Sequence, residues 1–551
     1  MQLIPNDKRK RAVAGTYSLC RDEPPGRFFL RMKLLRAALI VALIAGCRGS
    51  SGGSPPPAAA STWANDNSPL GTNLTGVEYY NSEMVFQDLF KQAGDWIPQD
   101  LTGAVWNTGL PFAGFTADGY PLLNASQAAG TLMCRGIAGR YPGGPYAALW
   151  DGTGTIEFRM DAGFVSSSAN SAAFTVTPTT QGIHLKIVAS SAADPIRNIR
   201  VVPAMYAATY GAEPFTPQFV DRWKKFKVIR FMDWQKTNDS TQVDWADVAS
   251  PAWFSQATRH GVAPAYMVRF ANAIHADPWF CIPHLATDAY VTEFATFLRD
   301  NVDPTLKIHV EHSNEVWNGI FAQAAYAQQQ GLALGLSTNA FEAQMRYHSR
   351  RAVEIFAIFS GVFGGTSRLV RVLSAQAANP WTGTTVMDWQ NAYAQADALA
   401  IAPYVGGHFG NPSEEATTQA MTVQQLLDAV NADIPGLMNI VAQHVASTAS
   451  RGLDLVCYES GQHLAPVGVV QNNTTIVNLF IAANLDPGMK TVYDNYLAQW
   501  RAAGGRLMVQ FTSIRPHSQY GSFGVLQYDD ETTSPKLDAL NGFIDANPRW
   551  W

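Results

Sequence analysis

The chain has 551 residues, of which 47% are hydrophobic and 15% charged, with 15 Trp among them. That balance excludes a disordered chain and provides for a large core in more than one domain. The formal net charge is −5, which gives no global attraction to nucleic acid.

Taken from the N-terminus, the first feature is Met32-Lys33-Leu34-Leu35-Arg36 followed by an apolar run over 37–45. A basic start and a short apolar stretch are the marks of a signal peptide, and the run is too short for a stable membrane-spanning helix. It ends Leu43-Ile44-Ala45-Gly46-Cys47, which resembles a bacterial lipobox with Cys47 as the lipidated residue. Residues 1–31 would then precede the native start, and 32–47 would be the signal peptide. Ordinary secretion with cleavage further along is the alternative. Loss of residues 1–46, with nine basic and three acidic residues, leaves 30 Lys+Arg against 41 Asp+Glu. The mature chain has no basic run, so neither nucleic acid nor an anionic membrane surface is expected as a partner. A bacterial envelope or extracellular location is expected, with membrane contact only through the lipid.

Residues 48–68 are rich in Gly, Ser, Pro and Ala and predict a flexible tether. Over 69–102 we expect the first strand, at 71–74, and then a helix with Phe86, Leu89 and Phe90 on one face. From 103 to 203 the texture is short alternating runs, such as Thr155-Ile156-Glu157-Phe158-Arg159-Met160 and His184-Leu185-Lys186-Ile187-Val188. Turn residues separate them, which predicts a β-sandwich. From 204 to 551 strands alternate with helical stretches, the βαβα order of a parallel sheet. Strands are expected at 228–231, 279–282, 308–310, 369–373, 399–402, 453–458 and 507–511. With 71–74 these make eight, the number that closes a (β/α)8 TIM barrel around an inserted sandwich.

Two of those strands run into glutamates, in His309-Val310-Glu311-His312-Ser313-Asn314-Glu315 and in Leu455-Val456-Cys457-Tyr458-Glu459. Catalytic groups of such barrels sit at the C-terminal ends of strands. Two carboxylates across one sugar ring suffice to hydrolyse a glycosidic bond. Glu315, last in its strand and partly desolvated, is the candidate general acid, and Glu459 the candidate nucleophile. Asn314 is placed to donate to a sugar hydroxyl. Arg230 and Tyr404, each ending an expected strand, are candidates to hold Glu459 ionised. Glu311, deeper in its strand, is expected to be structural and satisfied by a neighbour such as Arg230. Trp234, Trp279, Trp317 and Trp381 lie near strand ends, either as stacking faces for sugar rings or as filler. His284, His312, His408, His463 and His517 follow strands and have hydroxyl-contacting geometry open to them, but no metal spacing. Cys134, Cys281 and Cys457, the cysteines beyond the signal region, are odd in number and fit buried small hydrophobes. No phosphate loop, nucleophile elbow or dinucleotide fingerprint is present, so no cofactor is expected.

At these residues the chain resembles clan A glycoside hydrolases, retaining (β/α)8 enzymes with an Asn-Glu pair after strand four and a nucleophilic Glu after strand seven. The resemblance implies acid/base chemistry at Asn314-Glu315 and a nucleophile at Glu459, with Arg230 and Tyr404 as supports. The phrases Asp277-Pro278-Trp279-Phe280-Cys281-Ile282-Pro283-His284 and Ser313-Asn314-Glu315-Val316-Trp317-Asn318 are similar to a bacterial secreted group often labelled cellulose-binding. Two features depart from better-known clan members: the β-rich insert, and Phe511 or Phe523 where the clan has a Trp after strand eight. The expected activity is retaining hydrolysis of a β-linked polysaccharide or oligosaccharide by a monomer. A carbohydrate-binding surface lipoprotein without catalysis, its β-rich segment doing the binding, is the alternative, and a surface adhesion or scaffold protein a further one.

Overall fold

A computed structural model describes residues 63–551, so the expected signal peptide, Cys47 and residues 1–31 lie outside the described residues. Eight parallel strands form a closed barrel: β1 (Leu70–Asn73), β12 (Val228–Arg230), β13 (Asp277–Ile282), β14 (Ile308–His312), β15 (Leu369–Ser374), β16 (Ala398–Ile401), β17 (Asp454–Cys457) and β18 (Met508–Gln510). All eight expected strands are in it. Most of their residues are buried on both faces, which is why the strands are rich in apolar residues and why polar ones such as His309, Glu311 and His312 in β14 are themselves buried. The outer face packs under helices such as Pro264–Ile274, Asp288–Asn301 and Val423–Ala449. The inner face is a separate cluster that includes Val228, Trp279, Val372, Val456 and Val509. At Gly71 the barrel wall has no room for a side chain: a Cβ would lie 2.8 Å from the Val228 carbonyl oxygen and 3.1 Å from Val509 Cγ2.

Between β1 and β12 the chain builds a β-sandwich. One sheet has the order β2 (Ile97–Asp100), β5 (Gln127–Met133), β10 (Ile183–Ser190), β7 (Gly154–Met160). The other has the order β11 (Arg197–Pro203), β6 (Gly144–Asp151), β9 (Ser171–Val176), β8 (Ala162–Ser168). A two-residue hairpin, β3 (Gly114–Phe115) and β4 (Pro121–Leu122), lies beside them in sequence. Side chains alternate between the shared core and solvent, as along Ser171–Val176, and Phe158 stacks on Phe174 with centroids 4.5 Å apart.

Three expectations are corrected. The sandwich begins at β2, a few residues before 103. The helix through Phe86, Leu89 and Phe90 does not form; only a 3-10 turn, Leu89–Gln92, is present. Those aromatics serve two cores: Phe86 packs with Phe215 in the barrel's outer core, while Leu89 and Phe90 enter the sandwich core. One helical face cannot point in both directions. Finally, residues 63–68 belong to the folded body and not to the tether. The Asn65 side chain is buried and donates to the carbonyls of Phe226 and Ile274, each at 3.0 Å.

Candidate active site

Arg230 ends β12 with its side chain wholly buried inside the barrel mouth. Its guanidinium makes five hydrogen bonds. Nε and Nη2 donate to Glu311 Oε2 at 3.2 and 2.8 Å, and Nη2 also donates to Asn314 Oδ1 at 2.9 Å. Nη1 donates to Glu459 Oε1 at 3.0 Å and to Asn73 Oδ1 at 3.2 Å. The planar group lies over the rings of Tyr458 and Trp279, 5.1 and 5.6 Å from their centroids. Glu311 has the structural role expected of it: the same oxygen accepts from Trp279 Nε1 at 2.9 Å and from the Cys281 thiol at 3.4 Å. Cys134, Cys281 and Cys457 are free and buried.

Glu459 stands two residues beyond the end of β17, and Tyr404 Oη donates to its Oε2 at 2.9 Å. Both of its oxygens are therefore held, one by a cation and one by a phenol. Glu315 reaches the mouth by another route than expected. Strand β14 ends at His312, and left-handed backbone at Ser313 (φ 57°) and Glu315 (φ 42°) turns the carboxyl inward. Such conformations cost energy in non-glycine residues and concentrate at functional sites. Asn318 Nδ2 donates to Glu315 Oε2 at 2.8 Å and Tyr458 Oη donates to Oε1 at 3.2 Å. Trp317 Nε1 in turn donates to Tyr458 Oη at 3.2 Å.

Burial is the largest influence on both carboxyls and pushes both upward from the ordinary range. On Glu459 the next influence is the Arg230 guanidinium, which opposes the rise, and the Tyr404 hydrogen bond adds to that opposition, while Glu315 raises it further. Glu315 is held by the Asn318 and Tyr458 hydrogen bonds, with no cation in contact. The one cation in contact is on Glu459, yet burial still pushes that carboxyl up to about 8, so the two carboxyls titrate as a pair.

Asn314, Arg230, Tyr404 and Trp317 thus come together around the two glutamates. Other candidates do not. Trp279 is fully buried, stacks on His309 at 5.2 Å, and is a wall of the barrel interior below the mouth, not a face for sugar. Trp234 is core, its indole donating to the Thr75 carbonyl at 3.1 Å. His284 is buried against the Tyr326 ring and makes no hydrogen bond to either glutamate. His408 is exposed and pairs with Asp433 at 3.3 Å, away from the glutamates' partners. His312 is buried against His348, Nδ1 to Nδ1 3.0 Å. His463 contributes to an aromatic wall with Tyr404, Phe523 and, through Phe523, Phe511. Tyr458, Asn318 and Asn73 went unassigned by sequence reasoning. Asn73, a polar residue ending β1, carried a legible signal; its Nδ2 donates to the carbonyls of Tyr458 and Gln510 at 2.9 and 3.2 Å.

No family model and no curated protein matches this chain. Among solved structures it is similar to a GH51 arabinofuranosidase from Xanthomonas axonopodis pv. citri, at 11% identity over 61% of this chain and 67% of that one, TM-score 0.40. It is also similar to a GH5-4 broad specificity endoglucanase from Clostridium acetobutylicum, at 13% identity over 61% and 92%, TM-score 0.33. A GH5 lichenase from Caldicellulosiruptor sp. F32 matches at 14% identity over 62% and 87%, TM-score 0.35. The barrel itself is established by the closed ladder of eight parallel strands.

Removal of the guanidinium strands at least one buried carboxylate. Arg230→Met should destabilise the fold by about 3–5 kcal/mol in chemical denaturation. Adding Glu311→Leu should recover part of that loss, since the unpaired charge goes with it. Equal stability of wild type and the single variant would contradict the buried network.

Proposed function

We propose that the chain is a retaining glycoside hydrolase acting on a β-linked polysaccharide or oligosaccharide. The observation that carries this reading is the unequal treatment of two buried carboxyls at the barrel mouth: Glu459 is tied to Arg230 and Tyr404, and Glu315 only to neutral donors. Glu459 attacks the anomeric carbon while Glu315 gives its proton to the departing glycosidic oxygen. The glycosyl ester on Glu459 is then cleaved by a water whose proton returns to Glu315, restoring both groups. Retention corresponds to carboxyl groups about 5–5.5 Å apart, with no water between them. The shared partners support that spacing: Arg230 spans Glu459 and Asn314, and Tyr458, next to Glu459, reaches Glu315.

The two glutamates should fail differently. Glu459→Ala removes the nucleophile and should abolish turnover of every substrate, with azide restoring some activity and an inverted product. Glu315→Ala should slow substrates with poor leaving groups most, leave activated aryl glycosides able to form the glycosyl-enzyme, and with azide give a β-glycosyl azide. Near-normal activity in both variants would end this reading and favour the carbohydrate-binding alternative.

The two tyrosines should move opposite limbs of the pH profile of kcat/KM. The Tyr404 hydrogen bond lowers the Glu459 pKa, so Tyr404→Phe raises it, the reactive carboxylate needs a higher pH, and the acidic limb shifts up. The Tyr458 hydrogen bond lowers the Glu315 pKa, so Tyr458→Phe lets the acid form persist to higher pH and the basic limb shifts up. A profile unmoved in both variants would deny the assigned roles.

With the reaction we propose a lipid tether at Cys47, motivated by Leu43-Ile44-Ala45-Gly46-Cys47. In the native bacterium Cys47→Ser should move the protein out of the membrane fraction. Fractionation identical to wild type would leave ordinary secretion as the route.

A further inference from the structure

Lys536, the second residue of the last helix, Pro535–Ala546, is wholly buried and takes no part in the proton transfers at the two glutamates. Its Nζ donates to the Ser522 carbonyl, in the loop after β18, at 2.6 Å. It also donates to Asn484 Oδ1, in the helix Thr474–Leu485, at 3.0 Å. Both acceptors are neutral, and among the described residues no carboxylate pairs with it, so burial pushes the ammonium down to about 7. The first turn of a helix is also the wrong end for a cation. An apolar side chain of the same length would avoid both costs, so the reason for a lysine here lies in what it holds.

The Ser522 carbonyl is a junction. It also accepts from Gln462 Nε2 at 2.8 Å, and Gln462 lies in the turn that follows Glu459. The next residue, Phe523, carries the constraint to the mouth. Its ring lies 6.1 Å from that of Tyr404, 5.4 Å from His463 and 5.6 Å from Phe511, centroid to centroid. Tyr404 is the phenol that donates to Glu459 Oε2 at 2.9 Å. At Gly521 (φ 116°) an added Cβ would run into the Phe523 ring, so the ring can fold back over its own chain only where no side chain stands.

Either protonation state can make this clamp. An ammonium has three N–H donors and a neutral amine two, which matches the Ser522 carbonyl and Asn484 Oδ1. Loss of the proton near neutrality therefore leaves both bonds in place. His517, in the same loop, is driven down to about 3 by burial first and by Lys536 second, and so stays neutral beside it. The clamp acts by holding the loop, not by its charge.

We propose that Lys536 is a positioning residue for the nucleophile: from the last helix it fixes the Ser522 carbonyl, and through Phe523 it keeps the Tyr404 phenol on Glu459. The inference rests on the glycosidase reading of that carboxyl. Lys536 makes no hydrogen bond to either glutamate, so its whole effect passes through the loop and the two rings.

The test is a double-mutant cycle read on Glu459. Lys536→Met nearly keeps the length of the side chain and removes its donors. A weaker Tyr404 bond raises the Glu459 pKa, so the acidic limb of kcat/KM should shift up while the basic limb stays. On the acidic limb kcat/KM should fall by about tenfold. On a Tyr404→Phe background the same substitution should shift the limb no further. Phe523→Leu leaves Lys536 and its charge in place; it should reproduce the shift, and it decides the matter if Lys536→Met does not fold. Carboxyl-carbon NMR on labelled glutamate, with the Glu459 signal assigned through Glu459→Gln, follows the same titration without turnover. A shift that persists on the Tyr404→Phe background shows the charge of Lys536 acting through space and overturns the assignment. An acidic limb and a carboxyl titration unmoved in both Lys536→Met and Phe523→Leu overturn it too. A protein that hydrolyses no glycoside, yet shows the carboxyl shift in Lys536→Met and its loss on Tyr404→Phe, keeps the positioning role and loses the glycosidase reading.

Discussion

The guanidinium of Arg230 brings a positive charge into a closed barrel, where leaving it unpaired would cost several kcal/mol. Everything placed around it answers that cost. Glu311, one strand further round after β13, supplies the full compensating charge and is itself fully buried. Asn73 and Asn314 take two of the remaining protons as neutral acceptors. The last interaction, with Glu459, favours the charged form of that carboxyl without asking it to neutralise the whole group. A planar fork with five donors can serve acceptors on β1, on and after β14, and after β17 at once; an ammonium of the same charge cannot. The geometry of the mouth is in that sense the geometry of one side chain.

The insert changes what surrounds this centre more than the centre itself. Its own core is separate from the barrel's, and the two are joined by the connecting stretch, by Phe254 entering the sandwich core and by Arg140 pairing with Asp530 and Glu531. Asp88 accepts from Val201 N at 2.8 Å, and Phe90 stacks with Tyr120 within the sandwich. The first barrel strand thus ends in a connection that commits its side chains to a second layer. One turn of that layer returns to the barrel mouth at Gly136, which is how a domain with a different architecture contributes to the wall of a barrel cleft.

Much of this was legible in the residues, and the exceptions have physical causes. The barrel strands were readable because burial on both faces leaves short apolar-rich runs spaced by helical stretches, even where β14 alternates Ile308, His309, Val310 and Glu311. Arg230, Glu311 and Glu459 were readable because a charged residue in such a run needs a partner, and few are available. Trp279 was misread because position near a strand end says nothing about height in the barrel; it lies mid-strand and faces Arg230. His408 was misread because a residue following a strand can turn outward as easily as inward. Tyr458 was hidden by strand alternation, which sets neighbours on opposite faces. The strand stops at Cys457, so Tyr458 and Glu459 both reach the site. Phe86, Leu89 and Phe90 have helical spacing that two competing cores override.

Barrel closure has a consequence for the order in which this protein can be made. The seam between β1 and β18 joins groups such as Thr75 and Thr512, which are 437 residues apart in sequence. At the far edge, the indole of Trp551 donates to the Pro69 carbonyl at 3.0 Å. During synthesis β1 has no second neighbour until nearly the whole chain has emerged, whereas the sandwich pairs antiparallel strands from one continuous stretch and can consolidate early. The sandwich can then act as a folded anchor for a first strand that waits for its last partner. A partly made chain would hold the insert intact and Arg230 without Glu459, so the carboxylates meet only after β17 has joined its neighbours.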